Sequence, residues 1–309
     1  MSSISNKPPI PPFRQFRGIV DNWSGQLRKR TLDRITIDLS VRSRAVLRVK
    51  CNGEPVFRQA YAIKRKNTGN SEEDLDEKVS VLPEGLLRLL KKVVRNAEIK
   101  CIVLSHTNLD RETHYDFLHL LSSIKVNKLV MEHSIFRRFT PSSFVNLCFA
   151  SGNIALDIQF CRFSKEEQLF NRQFFDRAAT QLNYLDLDTI AEYSDNVYDS
   201  CLNLDVDDET VVELLKIEDV NLFYGSKVTC HGVNRIVKAL HSSILPKCNL
   251  RNLRLHLYEI INYDSILRNL PFQQRGEEYH FISVNQRTVK MRLDPSTLAV
   301  DILLDSKIV

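Results

Sequence analysis

Glycine is scarce in this 309-residue chain, and its nine occurrences never form a G-x-G-x-x-G turn, a Walker-type loop or a G-x-S-x-G elbow. The backbone cradles that those motifs build for phosphates, or for an exposed serine nucleophile, are therefore missing. The eight histidines never stand at H-E-x-x-H, and Cys230-His231 has no second pair at finger spacing, so no zinc site is expected. The acidic run Glu72-Glu73-Asp74-x-Asp76-Glu77 lacks the ligand rhythm and the glycine of a calcium loop. Seven cysteines, at 51, 101, 148, 161, 201, 230 and 248, are odd in number and include no C-x-x-C. That usage fits free thiols in a reducing compartment. No window supplies the ~18–20 apolar residues of a membrane span, and the first residues lack the apolar run of a secretory signal. The expectation is a soluble, non-enzymatic protein of the cytoplasm or nucleus, with no metal and no cofactor.

Charge is plentiful but unevenly placed. Residues 1–70 hold 15 Lys/Arg against 4 Asp/Glu, while the remainder holds 28 against 34. A basic front could meet nucleic acid, anionic lipid or an acidic protein. Residues 1–12, with Pro8, Pro9, Pro11 and Pro12, read as an extended, disordered Pro-rich lead-in. From Phe13 to Arg30 the residues Phe13, Phe16, Ile19, Val20, Trp23 and Leu27 share one helical face. Residues 34–63 switch to alternation (Ile35, Ile37, Leu39), and Asn52-Gly53 between two such runs is a strong hairpin signal. Residues 13–70 therefore read as a basic helix-plus-antiparallel-strand region, and 71–82 as an acidic linker.

Residues 83–271 carry a repeat of short apolar units. The spacing L-x-x-L-x-L starts at 99, 126, 153, 182, 217 and 250: Ile102 and Leu104 in the first unit, Leu129 and Met131 in the second, Leu156 and Ile158 in the third. Leu185 and Leu187, Val220 and Leu222, and Leu253 and Leu255 continue it. Two apolar residues two apart point to one face of a strand. Helical patterns lie between, one of them begun by Thr140-Pro141 with Thr at the cap and Pro in the first turn. Thr107, Ser134, Cys161 and Gly225 recur three past the last strand apolar position. The expected fold is α/β: an irregular leucine-rich-repeat-like solenoid of parallel strands alternating with helices. Cys201-Leu202-x-Leu204-x-Val206 is a further short strand signal, and residues 272–309 read as a C-terminal β cap turning at Asn285-Gln286 and Asp294-Pro295-Ser296.

If the units stack, the residues alternating with the buried ones share an exposed face. Its middle is acidic, with Asp157, Asp186, Asp188 and Asp219 in neighbouring units, Tyr184 and Phe223 as aromatic anchors and Arg254 beyond. Such a face suits a protein partner that brings a basic segment. The alternative is nucleic-acid binding through Arg28, Lys29, Arg30, Arg34, Arg42, Arg44, Arg48 and Lys50, although aromatics do not interleave with that run as a base-stacking platform requires.

A single-Trp helical piece, a small strand region, then Leu-rich helices alternating with strands such as Lys128-Leu129-Val130-Met131 and Leu250-Arg251-Asn252-Leu253-Arg254-Leu255 resembles nematode F-box-associated proteins with divergent leucine-rich repeats. The resemblance covers roughly residues 80–304 and implies an adaptor that presents substrates to a cullin-type ubiquitin ligase. Residues 8–50 hold no L-P-x-E-x-L-x-x-I-L box; Leu82-Pro83-Glu84-x-Leu86-Leu87 carries some of its letters further in.

Overall fold

A computed structural model describes residues 30–40, 44–62, 84–94, 97–110, 115–164, 168–188, 191–193, 204–222, 225–242, 248–283 and 286–305. The expected lead-in 1–12, the helix from Phe13 as far as residue 29, the linker 71–82 and the turn residue Asn285 lie outside the described residues. The helix reading fails at its last residue, because Arg30 opens a strand.

Strands β1 (Arg30–Leu32), β2 (Arg34–Asp38), β3 (Arg44–Cys51) and β4 (Glu54–Ala62) begin the described chain. β2, β3 and β4 pair antiparallel, and the β3–β4 turn places Asn52 and Gly53 at φ 53° and 80°, the left-handed pair that makes Asn-Gly favourable there. Helix α1 (Glu84–Val94) leads to β5 (Ala97–Ser105). Three units of long strand, three-residue strand and helix follow: β5, β6 (Asn108–Asp110) and α2 (Tyr115–Ser122); β7 (Val126–Glu132), β8 (Ile135–Arg137) and α3 (Pro141–Phe149); β9 (Ala155–Gln159), β10 (Arg162–Ser164) and α4 (Arg172–Gln181). β11 (Tyr184–Asp188) and β12 (Ala191–Tyr193) precede a 3-10 helix, Val211–Lys216, and then β13 (Asp219–Leu222), α5 (Cys230–His241), β14 (Asn252–His256) and α6 (Tyr263–Leu267). Strands β15 (Gln273–Arg275), β16 (Glu278–Ile282), β17 (Thr288–Asp294) and β18 (Ala299–Leu304), each antiparallel to the next, are the last of the described residues' strands.

The result is a mixed α/β structure with one fourteen-stranded sheet, ordered β15-β16-β17-β18-β14-β13-β11-β9-β7-β5-β2-β3-β4 with β1 beside β5. Its centre is parallel and its two flanks are antiparallel. β15 and β4 are separate edges, so among the described residues the sheet is not a closed barrel. Ile102, Leu129, Leu156, Leu185, Val220 and Leu253 lie side by side in register. These are the second positions of the six spaced units, and each is at most 3 % exposed. They join the apolar faces of the helices in a continuous core. None of the described helices is long and apolar enough to cross a membrane.

A second, smaller parallel sheet, β12-β10-β8-β6, runs alongside. Between the two sheets the chain turns through a polar ladder. Ser134 Oγ donates to the carbonyls of Glu132 (3.0 Å) and Leu104 (3.5 Å) and receives Thr107 Oγ1 at 2.8 Å. Cys161 Sγ repeats this one unit on, toward Gln159 (3.3 Å) and Met131 (3.4 Å). Ser134 and Cys161 are both fully buried, and each adds a side-chain contact to carbonyls that the strands already pair, since Glu132 O also accepts from His106 N–H and Gln159 O from His133 N–H, both at 3.0 Å. Ser134→Ala, which takes the hydroxyl acceptor away from the buried Thr107 N–H (3.2 Å) and Thr107 Oγ1 (2.8 Å), is expected to cost about 1–3 kcal/mol. Ser134→Cys should cost visibly less, because a thiol already does this work at 161; urea denaturation of both variants checks the difference.

Of the expected strand signal Cys201–Val206, the described residues 204–206 are not in a strand and residues 201–203 lie outside the described residues. Leu204 and Val206 are fully buried, but they lie in irregular chain hydrogen-bonded to Gly225 and Lys227 (both 2.8 Å). Apolar alternation identified two core residues there, and their backbone partners, Gly225 and Lys227, lie in irregular chain rather than in a ladder.

Candidate functional site

The parallel register that buries the leucines also fixes the opposite face. Lys128, Ala155, Tyr184, Asp219 and Asn252 form one row across β7, β9, β11, β13 and β14. Val130, Asp157, Asp186, Asn221 and Arg254 form the next, and Glu132, Gln159 and Asp188 a third. Neighbouring strands are about 4.8 Å apart, so the sequence-predicted Asp157, Tyr184, Asp186, Asp188 and Asp219 converge on one face of three adjacent strands. On β7, β9, β11 and β13 the described residues of this face carry five carboxylates (Glu132, Asp157, Asp186, Asp188, Asp219) against one ammonium, Lys128.

The face is deeper than alternation implies. Asp157 and Asp186 are only 5 % and 8 % exposed, because taller residues in the flanking row lean over them. Lys128 Nζ stands 2.8 Å from Asp157 Oδ2 and 4.4 Å from the centre of the Tyr184 ring. The Tyr184 hydroxyl donates to Asp186 Oδ2 at 2.9 Å, and Asn221 Nδ2 donates to Asp186 Oδ1 at 3.0 Å. Asp157 and Asp186 thus lie low on the face beneath Lys128 and Tyr184, with half-buried Tyr184, Asp188 and Asp219 beside them. Asp219 accepts from Asn252.

Burial, reinforced by the charges of Asp157 and Asp188, pushes the Asp186 carboxyl above its ordinary value, although Tyr184 and Asn221 pull it down. Burial and the adjoining Asp186 raise the Tyr184 phenol, so the hydroxyl keeps its proton as a donor. His256, in β14, is held toward its neutral form by burial and then by Arg254. Arg254 itself faces Asp301 of β18 at 3.3 Å, at the flank of the acidic stretch. Phe223 lies outside the described residues, as do Arg28, Lys29 and Arg42.

The basic end is on the antiparallel hairpin. Arg44 is exposed, whereas Arg48 is paired with Asp38 at 2.9 Å and stands opposite Arg58 across the β3–β4 ladder. Arg34 stands opposite Lys50. Of Arg30 only the backbone, in β1, is described.

Two features escaped sequence reasoning. Lys128 was legible as a face residue but not as the cation paired with Asp157. The rings of His106, His133 and Phe160 stack in a ladder, 4.9 and 5.0 Å between centroids, at φ 54°, 50° and 51°. Each follows a long strand, and their spacing of 27 residues equals the repeat, a signal that was available. Among the described residues no group of three or more His, Cys, Asp or Glu could hold a metal ion. A depression of about 420 Å³ beside the C-terminal strands is lined by Tyr263, Tyr279, Glu277, Arg292 and Asp294. Arg292 pairs there with Glu277 at 3.3 Å, and the hydroxyls of Ser296 and Thr297 hold Asp294 down at about 2.

Compared with protein-family models, with curated proteins and with solved structures, the chain matches none.

Proposed function

We propose that this protein is a non-enzymatic interaction scaffold, an irregular leucine-rich-repeat-like array that binds a basic protein segment in the groove over β7, β9, β11 and β13. One observation carries the reading: five carboxylates against a single ammonium on one face of four neighbouring strands. Like charges held this close raise the free energy of the unbound groove, and a cationic partner lowers it. The narrower reading, an adaptor that delivers its captured partner to a ubiquitin ligase, rests on the resemblance of residues 80–304 and carries one added expectation: cullin-type ligase subunits co-purify with the chain.

The rival, nucleic-acid binding through Arg44, Arg48 and their neighbours, gains less support, because Arg48 is already neutralised by Asp38. A titration separates the two. The full chain is expected to bind a nona-arginine peptide at 50 mM salt and to show no comparable affinity for a generic DNA duplex or RNA. Tight duplex binding whose logarithm falls steeply with the logarithm of salt concentration, with no peptide binding, would favour the nucleic-acid reading and remove this one.

A further inference from the structure

We propose that Tyr184, Asp157 and Asp186 form the seat for one arginine guanidinium of the partner's basic segment, and that Lys128 is the chain's own occupant of that seat, displaced when the partner binds. The inference rests on the scaffold reading above and specifies the chemistry of its partner.

The seat has the parts that a planar cation uses. The Tyr184 ring supplies a π face, and Lys128 Nζ already lies 4.4 Å from its centre. Asp157 supplies a carboxylate that is 92 % buried by side chain, and Lys128 reaches only its Oδ2. The other oxygen, Oδ1, is enclosed and accepts no hydrogen bond. A buried carboxylate oxygen without a donor is unfavourable, and an ammonium is a point charge that has satisfied one of the two. A guanidinium presents two parallel N–H groups in a fixed fork and stacks on an aromatic face at the same time. It would fill both oxygens of Asp157 while keeping the contact with Tyr184. Asp186, one strand over, is oriented by Tyr184 and Asn221 and adds a second negative charge at a spacing of about 4.8 Å.

Lys128 is suited to leaving. Its side chain is 34 % exposed, on a flexible four-carbon stem that can carry the ammonium into water. With Lys128 in place the face still holds four more carboxylates than ammoniums, so self-occupancy does not neutralise the groove. It acts as a built-in competitor that lowers apparent affinity by the fraction of time the seat is filled.

The test uses the full chain and fluorescent nona-arginine and nona-lysine peptides, with wild type, K128M, K128Q, K128R and K128M/D157N compared at one salt concentration. K128M and K128Q are expected to bind nona-arginine about five- to tenfold more tightly than wild type, and to prefer it over nona-lysine. K128R, whose own guanidinium fills the seat, should bind more weakly than wild type, and D157N should cancel the gain of K128M. In wild type carrying ¹³C-dimethylated lysines, the Lys128 methyl signal, shifted by the Tyr184 ring, should move to its free-lysine position as nona-arginine is added. This last readout needs no variant to fold. If wild type binds the peptide while the Lys128 signal stays in place, or while K128M and K128Q bind no more tightly, Lys128 is a structural clamp and the seat is overturned with the scaffold reading intact. Absence of peptide binding by wild type, K128M and K128Q alike overturns both.

Discussion

D186K/D188K is expected to weaken binding of a basic segment by about 100-fold or more at 0.1 M salt. The two substitutions change the face from five carboxylates and one ammonium to three of each, which removes the net attraction. A lysine at 186 also meets Lys128 and loses the bonds from Tyr184 and Asn221. Because Asp186 is 8 % exposed, the double variant should also melt below wild type. D188K alone, on the half-buried rim, separates the charge effect from the structural one and should still weaken binding about tenfold. Fluorescence anisotropy with nona-arginine reads both, and unchanged affinity in D188K and the double variant would sink the groove.

The pH dependence gives the same prediction a second signature. Asp186 has a folded-state carboxyl raised above its ordinary value, by burial first and then by Asp157 and Asp188. Its ionised form therefore costs stability at pH values above that raised pKa, and the cost is relieved as pH falls through it toward the unfolded value. Binding of a cation goes the other way, since protonation removes the charge the partner needs. Affinity should begin to fall while the folded chain is still gaining from this group. Asp294 behaves oppositely: its carboxyl, held down at about 2 by Ser296 and Thr297, contributes stability at neutral pH that is lost only as pH drops from the ordinary carboxylate range toward 2.

What was legible in the sequence follows from what spacing can encode. Ile102, Leu129, Leu156, Leu185, Val220 and Leu253 were separable from their neighbours because a strand with one buried face repeats every second residue, and a one-residue slip would expose all of them. The same parity placed Asp157, Asp186 and Asp219 together on the other face. Parity assigns a side and says nothing of depth. That Asp157 and Asp186 lie low on the face depends on the height of Lys128 and Tyr184 next to them, which only the stacked register brings within reach. The small sheet was illegible for a related reason: β6, β8, β10 and β12 are three residues long, too short for alternation, and exist because Phe136 and Phe163 stack from one unit to the next at 4.9 Å. The left-handed turn residues His106, His133 and Phe160 carry no glycine to announce them. Leu204 and Val206 show the limit from the other side, where buried alternation met no strand to pair with.

Phe144→Ala is expected to be the most damaging single truncation, costing about 3–5 kcal/mol. Phe144, in α3, is fully buried, and its ring lies 5.3–6.1 Å from those of Phe136, Phe139, Phe163, Phe170 and Phe174. Those five come from β8, β10, the turn before α3 and the approach to and first turns of α4, so one side chain joins the helices of two successive units to the smaller sheet. Four of the five contacts are edge-to-face, the arrangement in which the positive ring edge meets a negative face. Truncation leaves a cavity that five rings of fixed geometry cannot collapse to fill. The melting temperature should fall by roughly 5–10 °C for a chain of this size. Because each parallel strand and its helix contact mainly their neighbours, the parts of the chain on either side of the lost ring should also begin to unfold separately, lowering the denaturant m-value or splitting the transition. Phe160→Ala is the matched control: that ring is 49 % exposed and stacks on His133 at 5.0 Å, so its removal should cost about 1 kcal/mol or less. Equal losses at 144 and 160 in parallel urea melts would show that the aromatic cluster under α3 is not what couples one unit to the next.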